Sequence, residues 1–209
     1  MSTVEVSVKD FLDLIVGVSE SIRDSPTAPW LEYMTISLPG GNVVQAYGTD
    51  RYIGILGTMP TVSGEAEAPL SASIHTGEVS ELVGSLKWLR KSHKGLRTIS
   101  MGLTPNSVEL SLPGLSDPVM LVASGYLKET PDVDVSQLFV SEALPGPIPF
   151  FQAAQVARLA KIPTGSHGSR WSVEAARPPK GKDLLRFREN TPGVSWTVVM
   201  AGVTPAEDS

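Results

Sequence analysis

Apolar and polar residues alternate from Val4 to Val8, and then the period lengthens. Val8, Phe11, Ile15, Val18 and Ile22 advance by three or four, which is one stripe of a helix. Pro26 and Pro29 are expected to end that helix. Leu31 to Leu38 returns to a strand pattern, Pro39-Gly40-Gly41-Asn42 reads as a hairpin turn, and Val43 to Tyr47 as the returning strand. Arg51 to Thr58 is a further strand, stopped by Pro60 and followed by a small acidic loop from Ser63 to Ala68. The order is strand, helix, three strands.

The same order recurs. Leu70 to Ile74 reads as a strand, and Thr76 as the N-cap of a helix with Glu78 in its first turn. That helix buries Val79, Leu82, Leu86 and Leu89 and stops at Gly95. Ile99 to Leu103, Pro105-Asn106-Ser107 and Val108 to Leu112 form a second hairpin, and Val119 to Ala123 a third strand. Two units of roughly 60 residues each make an internal βαβββ duplication. The pattern predicts one α+β domain over residues 1–124, with both helices on the same side. Residues 125–148 change character: Gly125 to Pro149 holds four prolines and the stretch Asp132-Val133-Asp134, which fits an interdomain connection. Pro149 to Lys161 then reads as a helix, and Trp171 to Ala175, Leu184 to Arg188 and Val194 to Val199 as strands. A single further unit, a shortened second domain over 149–203, is expected. Thr204 to Ser209 is a polar tail.

Composition removes several classes of chemistry. None of the 209 residues is cysteine, so disulfides, thiolate zinc sites, iron–sulfur clusters and a cysteine nucleophile are excluded. No apolar run approaches the roughly 20 residues of a membrane helix, and the acidic first twenty residues do not read as a secretory leader. The expectation is a cytoplasmic protein without membrane contact. His75, His93 and His167 lack the spacing of a metal site and read as surface or loop residues. There is no Walker loop, dinucleotide fingerprint or nucleophile elbow. Ser166-His167-Gly168-Ser169 has no orienting acid nearby, and Asp50 beside Arg51 reads as a turn or surface ion pair. No catalytic residue, metal or cofactor is expected.

Charge changes the picture more. The chain carries a net charge of −5, yet residues 1–70 hold three basic against nine acidic side chains, while Lys87, Arg90, Lys91, Lys94 and Arg97 crowd the end of the second helix. Lys87, Lys91 and Lys94 lie more than about 100° from the apolar stripe, and Arg90 borders it. Such a run is either a solvated helix end favoured by the helix dipole or a phosphate-contacting stripe. Arg158 and Lys161 offer a smaller patch on the third helix. The first helix fits poorly, with Lys9 and Arg23 against Asp10, Asp13, Glu20 and Asp24.

Gly48-Thr49-Asp50-Arg51-Tyr52-Ile53-Gly54-Ile55 resembles the "A-T-D-G/R-x-R-L-A" signature in the middle domain of bacterial DNA polymerase III β subunits, the sliding clamps. Tyr126 with Pro131-Asp132-Val133 resembles the "F-P-D-Y" entry to their connection between middle and C-terminal domains. Ser195-Trp196-Thr197-Val198-Val199-Met200 resembles the closing "Y-V-V-M-P-M-R-L" strand, with Ala201 in place of the proline after the methionine. The arginine of the first signature also sits elsewhere.

The resemblance implies a clamp fold without enzymatic activity. It implies an apolar pocket where the three segments converge, receiving peptides from polymerases and the clamp loader. Carried over, that pocket involves Thr49, Arg51, Tyr52, Ile53, Pro131, Val135, Val198, Val199 and Met200 as an exposed concave patch. Read without the resemblance, Val198, Val199 and Met200 are a core strand. It also implies helices that face sequence-independent duplex DNA, here through Lys87, Arg90, Lys91, Lys94, Arg97, Arg158 and Lys161. Two domains per chain imply a ring of three copies, and the compact length a phage or mobile-element clamp. The alternative is a clamp-like monomer, a decoy that binds partner peptides without encircling DNA.

Overall fold

A computed structural model of the chain describes residues 2–25, 27–105, 107–112, 120–123, 135–140, 142–144, 153–164, 171–179, 184–190 and 193–201. The first unit is β1 (Ser2–Ser7), α1 (Val8–Ser19), β2 (Tyr33–Leu38), β3 (Val43–Thr49) and β4 (Ile53–Pro60). The second is β5 (Leu70–His75), α2 (Thr76–Ser92), β6 (Thr98–Thr104), β7 (Ser107–Ser111) and β8 (Met120–Ala123). The third is β9 (Glu142–Leu144), α3 (Ala153–Leu159), β10 (Ser172–Arg177), β11 (Leu184–Asn190) and β12 (Ser195–Ala201). The βαβββ order therefore occurs three times.

The first two units interlock by exchanging their leading strands. β1 pairs with β6, while β5 pairs with β2, both antiparallel. One sheet runs β1-β6-β7-β8, and the other runs β5-β2-β3-β4-β12-β11-β10-β9. The longer sheet reads the same way outward from its centre: β4 and β12 meet antiparallel, and each is followed by two strands of its own unit and then a leading strand. With no fourth unit among the described residues to lend a strand, the third unit's own β9 covers β10. β9 lies inside the proline-rich stretch expected to be a plain connection.

Local chemistry moves several boundaries. α1 ends at Ser19, well before Pro26, because Ser19 Oγ bonds the Val16 carbonyl and Ser21 Oγ the Val18 carbonyl. Leu31 belongs to a 3-10 turn, Pro29–Glu32, so β2 begins at Tyr33. The N-cap of α2 is His75 and not Thr76. The His75 Nδ1 accepts from the Gly77 amide at 3.3 Å, and the Glu78 carboxylate accepts from the His75 amide at 3.2 Å, which completes a capping box. The imidazole expected to idle in a loop thus starts the helix.

α1 packs on β3 and β4, α2 on β5 and β2, and the two helices on each other. The core is continuous from Val4 of β1 to Met200 of β12. Trp196 fixes the third unit to the first. Its ring fills space left by two glycines: a Cβ on Gly17 of α1 would come within 2.2 Å of the indole, and one on Gly57 of β4 within 2.7 Å. The indole N–H donates to the Pro163 carbonyl at 3.1 Å, so this large apolar side chain is buried with its polar atom satisfied.

Candidate functional site

The turn joining β3 to β4 carries the first signature, and each of its polar side chains has a local task. Asp50 is 1% exposed. Its Oδ1 accepts from the amides of Tyr52 and Ile53 at 3.0 and 2.9 Å. Its Oδ2 accepts from Arg158 of α3 at 2.6 Å, with Arg23 3.8 Å away. Thr49 Oγ1 donates to the Ile53 carbonyl and accepts from the Arg51 amide. Arg51 adopts φ +79°, a conformation the turn imposes on a residue with a side chain. The carboxylate thereby closes the turn and ties the third unit's helix to the first unit. Asp50 is a buried turn residue and not a surface pair.

This arrangement corrects one DNA-contact expectation. Arg158 is spent inside the molecule: besides Asp50, its guanidinium donates to the Glu20 carbonyl at the end of α1. Lys161 is exposed but lies 3.2 Å from the Glu20 carboxylate. Arg158 is thus held by the first unit, while Lys161 stays exposed beside Glu20.

The seam brings together the two segments that the resemblance paired. Met200 stands opposite Ile53 and Val198 opposite Ile55, and the Ala201 amide donates to the Tyr52 carbonyl at 2.9 Å. The open concave patch, however, is not formed by these side chains. Ile53, Val198 and Met200 point into the main core and are buried, as is Thr49. Strand alternation sends Val199 to the opposite face, where it packs with Phe139, Ala176 and Leu184. Val135, Leu138, Tyr47 and Leu56 complete that cluster, with Tyr47 and Phe139 in edge contact at 6.3 Å. Gly54 matters here because a Cβ would press Val199 at 2.9 Å and Phe139 at 3.3 Å. Of the expected pocket, Tyr52 is exposed (51%) with Arg23 5.8 Å over its ring, and Arg51 is exposed beside it. Pro131 lies outside the described residues, as do Tyr126, Asp132 and Val133. Phe139 and Tyr47 were missed by sequence reasoning, since neither sits in a signature.

α2 is different in kind. Lys87, Arg90, Lys91, Lys94 and Arg97 are all exposed, and among the described residues no carboxylate is ion-paired to any of them. Leu12, Asp13 and Val16 of α1 and Lys87, Arg90 and Lys91 of α2 line an open groove of about 510 Å³ between the helices. The acids of α1 are partly occupied: Lys9 Nζ reaches Asp13 at 3.2 Å and Asp10 at 3.6 Å, and Glu20 holds Lys161. Asp13 is the anionic member of a mainly cationic groove. Trp88, 58% exposed on the same helix, was also missed. Its place off the stripe of Val79, Leu82, Leu86 and Leu89 was the available signal.

At the start of α2, Glu32 Oε1 accepts from the Ser25 amide at 2.8 Å and Oε2 meets His75 Nε2 at 3.0 Å. The Ser25 hydrogen bond, then His75, holds the Glu32 carboxyl below the ordinary glutamate range. Across β10 and β11, Arg186 bonds Glu174 at 2.7 Å and lowers that carboxyl likewise. Among the described residues no group of three or more histidines, acids or cysteines is placed to hold a metal, and no helix is long and apolar enough to cross a membrane.

No family model and no curated protein matches the sequence. Solved structures do match the fold. The DNA polymerase III β subunit of Thermotoga maritima is 13% identical with a TM-score of 0.54, covering 99% of this chain and 65% of its own. A putative β subunit from Eubacterium rectale is 12% identical with a TM-score of 0.56, over 99% and 66%. The chain has the sliding-clamp fold. It spans about two thirds of the length of those β subunits. The A. fulgidus PCNA, solved with the C-terminal region of FEN-1 bound, is 8% identical with a TM-score of 0.58, over 99% of this chain and 100% of its own. The likeness to clamps therefore resides in topology, and the short sequence signatures mark the turn and the seam that hold that topology together.

Proposed function

We propose that the protein is a sliding-clamp-like processivity factor without catalytic activity, which holds a DNA polymerase on duplex DNA through non-specific phosphate contact. The observation that carries this reading is α2 with the segment that follows it: five exposed cations, unpaired among the described residues, on a chain whose net charge is −5. An acidic body approaches a polyanion along a basic face. Lys87, Arg90, Lys91, Lys94 and Arg97 are the contact residues. The clamp topology supports the same reading by setting both helices of residues 1–124 side by side.

Partner peptides are proposed to dock where β4, β12 and residues 135–140 meet. The complex of A. fulgidus PCNA with the C-terminal region of FEN-1 supports peptide capture as a use of this fold. Burial of Met200, Val198 and Ile53 restricts the accessible part to Tyr52, Arg51 and the surface over Phe139. A peptide anchor reaching Val199 must displace the Val135–Leu138 turn.

The proposed assembly is a ring of three copies, in keeping with the two clamp-like domains expected per chain. Light scattering at several concentrations tests it, with a particle of three 22.2 kDa chains expected. A monomer at every concentration would replace the ring with the peptide-binding monomer.

A further inference from the structure

We propose that the outward face of α2 also takes an unpaired nucleotide, with the Trp88 indole stacking on its base and Lys87, Lys91 and Lys94 holding the flanking phosphates. The inference rests on α2 being the nucleic-acid face and adds to it a preference for single-stranded or junction DNA. Trp88 is 58% exposed, so much of its ring is available for stacking, with His93 in T-shaped contact at 6.0 Å between ring centroids. One turn earlier stands Gly84, where even a Cβ would find nothing within 4 Å, so the ground beside the indole is bare. Lys91, three residues on, is a helix-surface neighbour at about 5–6 Å between Cβ atoms. Lys87 precedes it, and Lys94 follows beyond the helix end.

An indole left in water is poorly hydrated, and a π-face between cations matches a base between phosphates. Paired bases in a duplex are already stacked on one another and present only edges, so Trp88 gains little from blunt duplex. An unpaired base gives it a full face. The stacking is sequence-tolerant, as every base has such a face.

The test is fluorescence anisotropy of dye-labelled oligothymidylate and of dye-labelled blunt duplex, each titrated with the full chain. It uses wild type, Trp88→Ala, Trp88→Phe and the triple Lys87→Glu/Lys91→Glu/Lys94→Glu variant, each checked for unchanged melting temperature. Oligothymidylate is expected also to quench the tryptophan emission of wild type. Trp88→Ala is expected to weaken that binding about tenfold and duplex binding less than about twofold, while Trp88→Phe retains most of the affinity. Equal losses on both ligands, or none on either, would overturn the stacking role. If the triple variant weakens duplex binding while Trp88→Ala leaves oligothymidylate unaffected, stacking falls and the basic face stands. If the triple variant changes neither ligand, the face itself is wrong. Equal quenching by a polyglutamate peptide would replace the nucleotide with an acidic peptide.

Discussion

The β4–β12 seam and the outer face of α2 both carry charges and a tryptophan, and they use them in opposite ways. At the seam, Asp50 is buried with its oxygens held by two amides and Arg158, and Trp196 fills a socket floored by Gly17 and Gly57. On α2 and the segment after it, Trp88 and five cations are exposed, the cations without ion pairs among the described residues. A charge whose valences are filled inside the molecule stabilises a fold. One left open in water is available to something else. The conspicuous sequence motif thus marks architecture, while the plainer lysine run is the part left exposed to solvent.

Breaking the seam gives the largest effect. Trp196→Ala is expected to cost about 3–5 kcal/mol in unfolding free energy. Gly57→Val should be comparably damaging, because its Cβ already overlaps Leu14 and Trp196. Met200→Asp belongs with these variants, as its side chain is fully buried; it reads out core stability rather than a pocket. Asp50→Asn comes next. It leaves Arg158 short of its charge partner in a partly buried position, and a loss of about 2–3 kcal/mol is expected in chemical denaturation. Lys161→Ala, which removes the exposed partner of Glu20, should cost under about 1 kcal/mol. Equal losses for Asp50→Asn and Lys161→Ala would erase the distinction between filled and open charges.

The α2 side is sharpened by smaller changes. Asp13→Asn removes the anion from the interhelical groove and should raise duplex affinity about twofold to fivefold without lowering the melting temperature. Unchanged affinity would place the duplex away from that groove. The smallest effect is in pH. The Glu32 carboxyl titrates lower in the folded chain than in the unfolded one. Its contribution is therefore full above the ordinary glutamate range and is lost as pH falls through the lowered value. Glu32→Gln should flatten the melting-temperature slope in that acidic window and leave the region above it parallel to wild type.

Periodicity made the architecture legible. Val8, Phe11, Ile15 and Val18 on one helix, Val79, Leu82, Leu86 and Leu89 on the next, and two hairpins revealed the βαβββ repeat. It was less able to place ends, since hydrogen bonds from Ser19, Ser21 and His75 decide where helices stop and start. β9 was hidden by its three-residue length in a proline-rich stretch. Pairing of the Tyr52 and Met200 segments was legible through resemblance, but exposure was not. Strand alternation alone puts Val198 and Met200 on the face opposite Val199, and only the packed helices show which face is covered. Arg158 looked like a DNA contact because its acceptor, Asp50, lies 108 residues away in the chain.

The most direct measurement is the salt dependence of duplex affinity for wild type and the Lys87→Glu/Lys91→Glu/Lys94→Glu variant. If these side chains neutralise phosphates, the slope of log affinity against log salt should shrink by about 2–3 in the variant, with the fold intact. Identical slopes in the two proteins would mean that the duplex lies elsewhere or does not bind, and the account of α2 as the nucleic-acid face would be wrong.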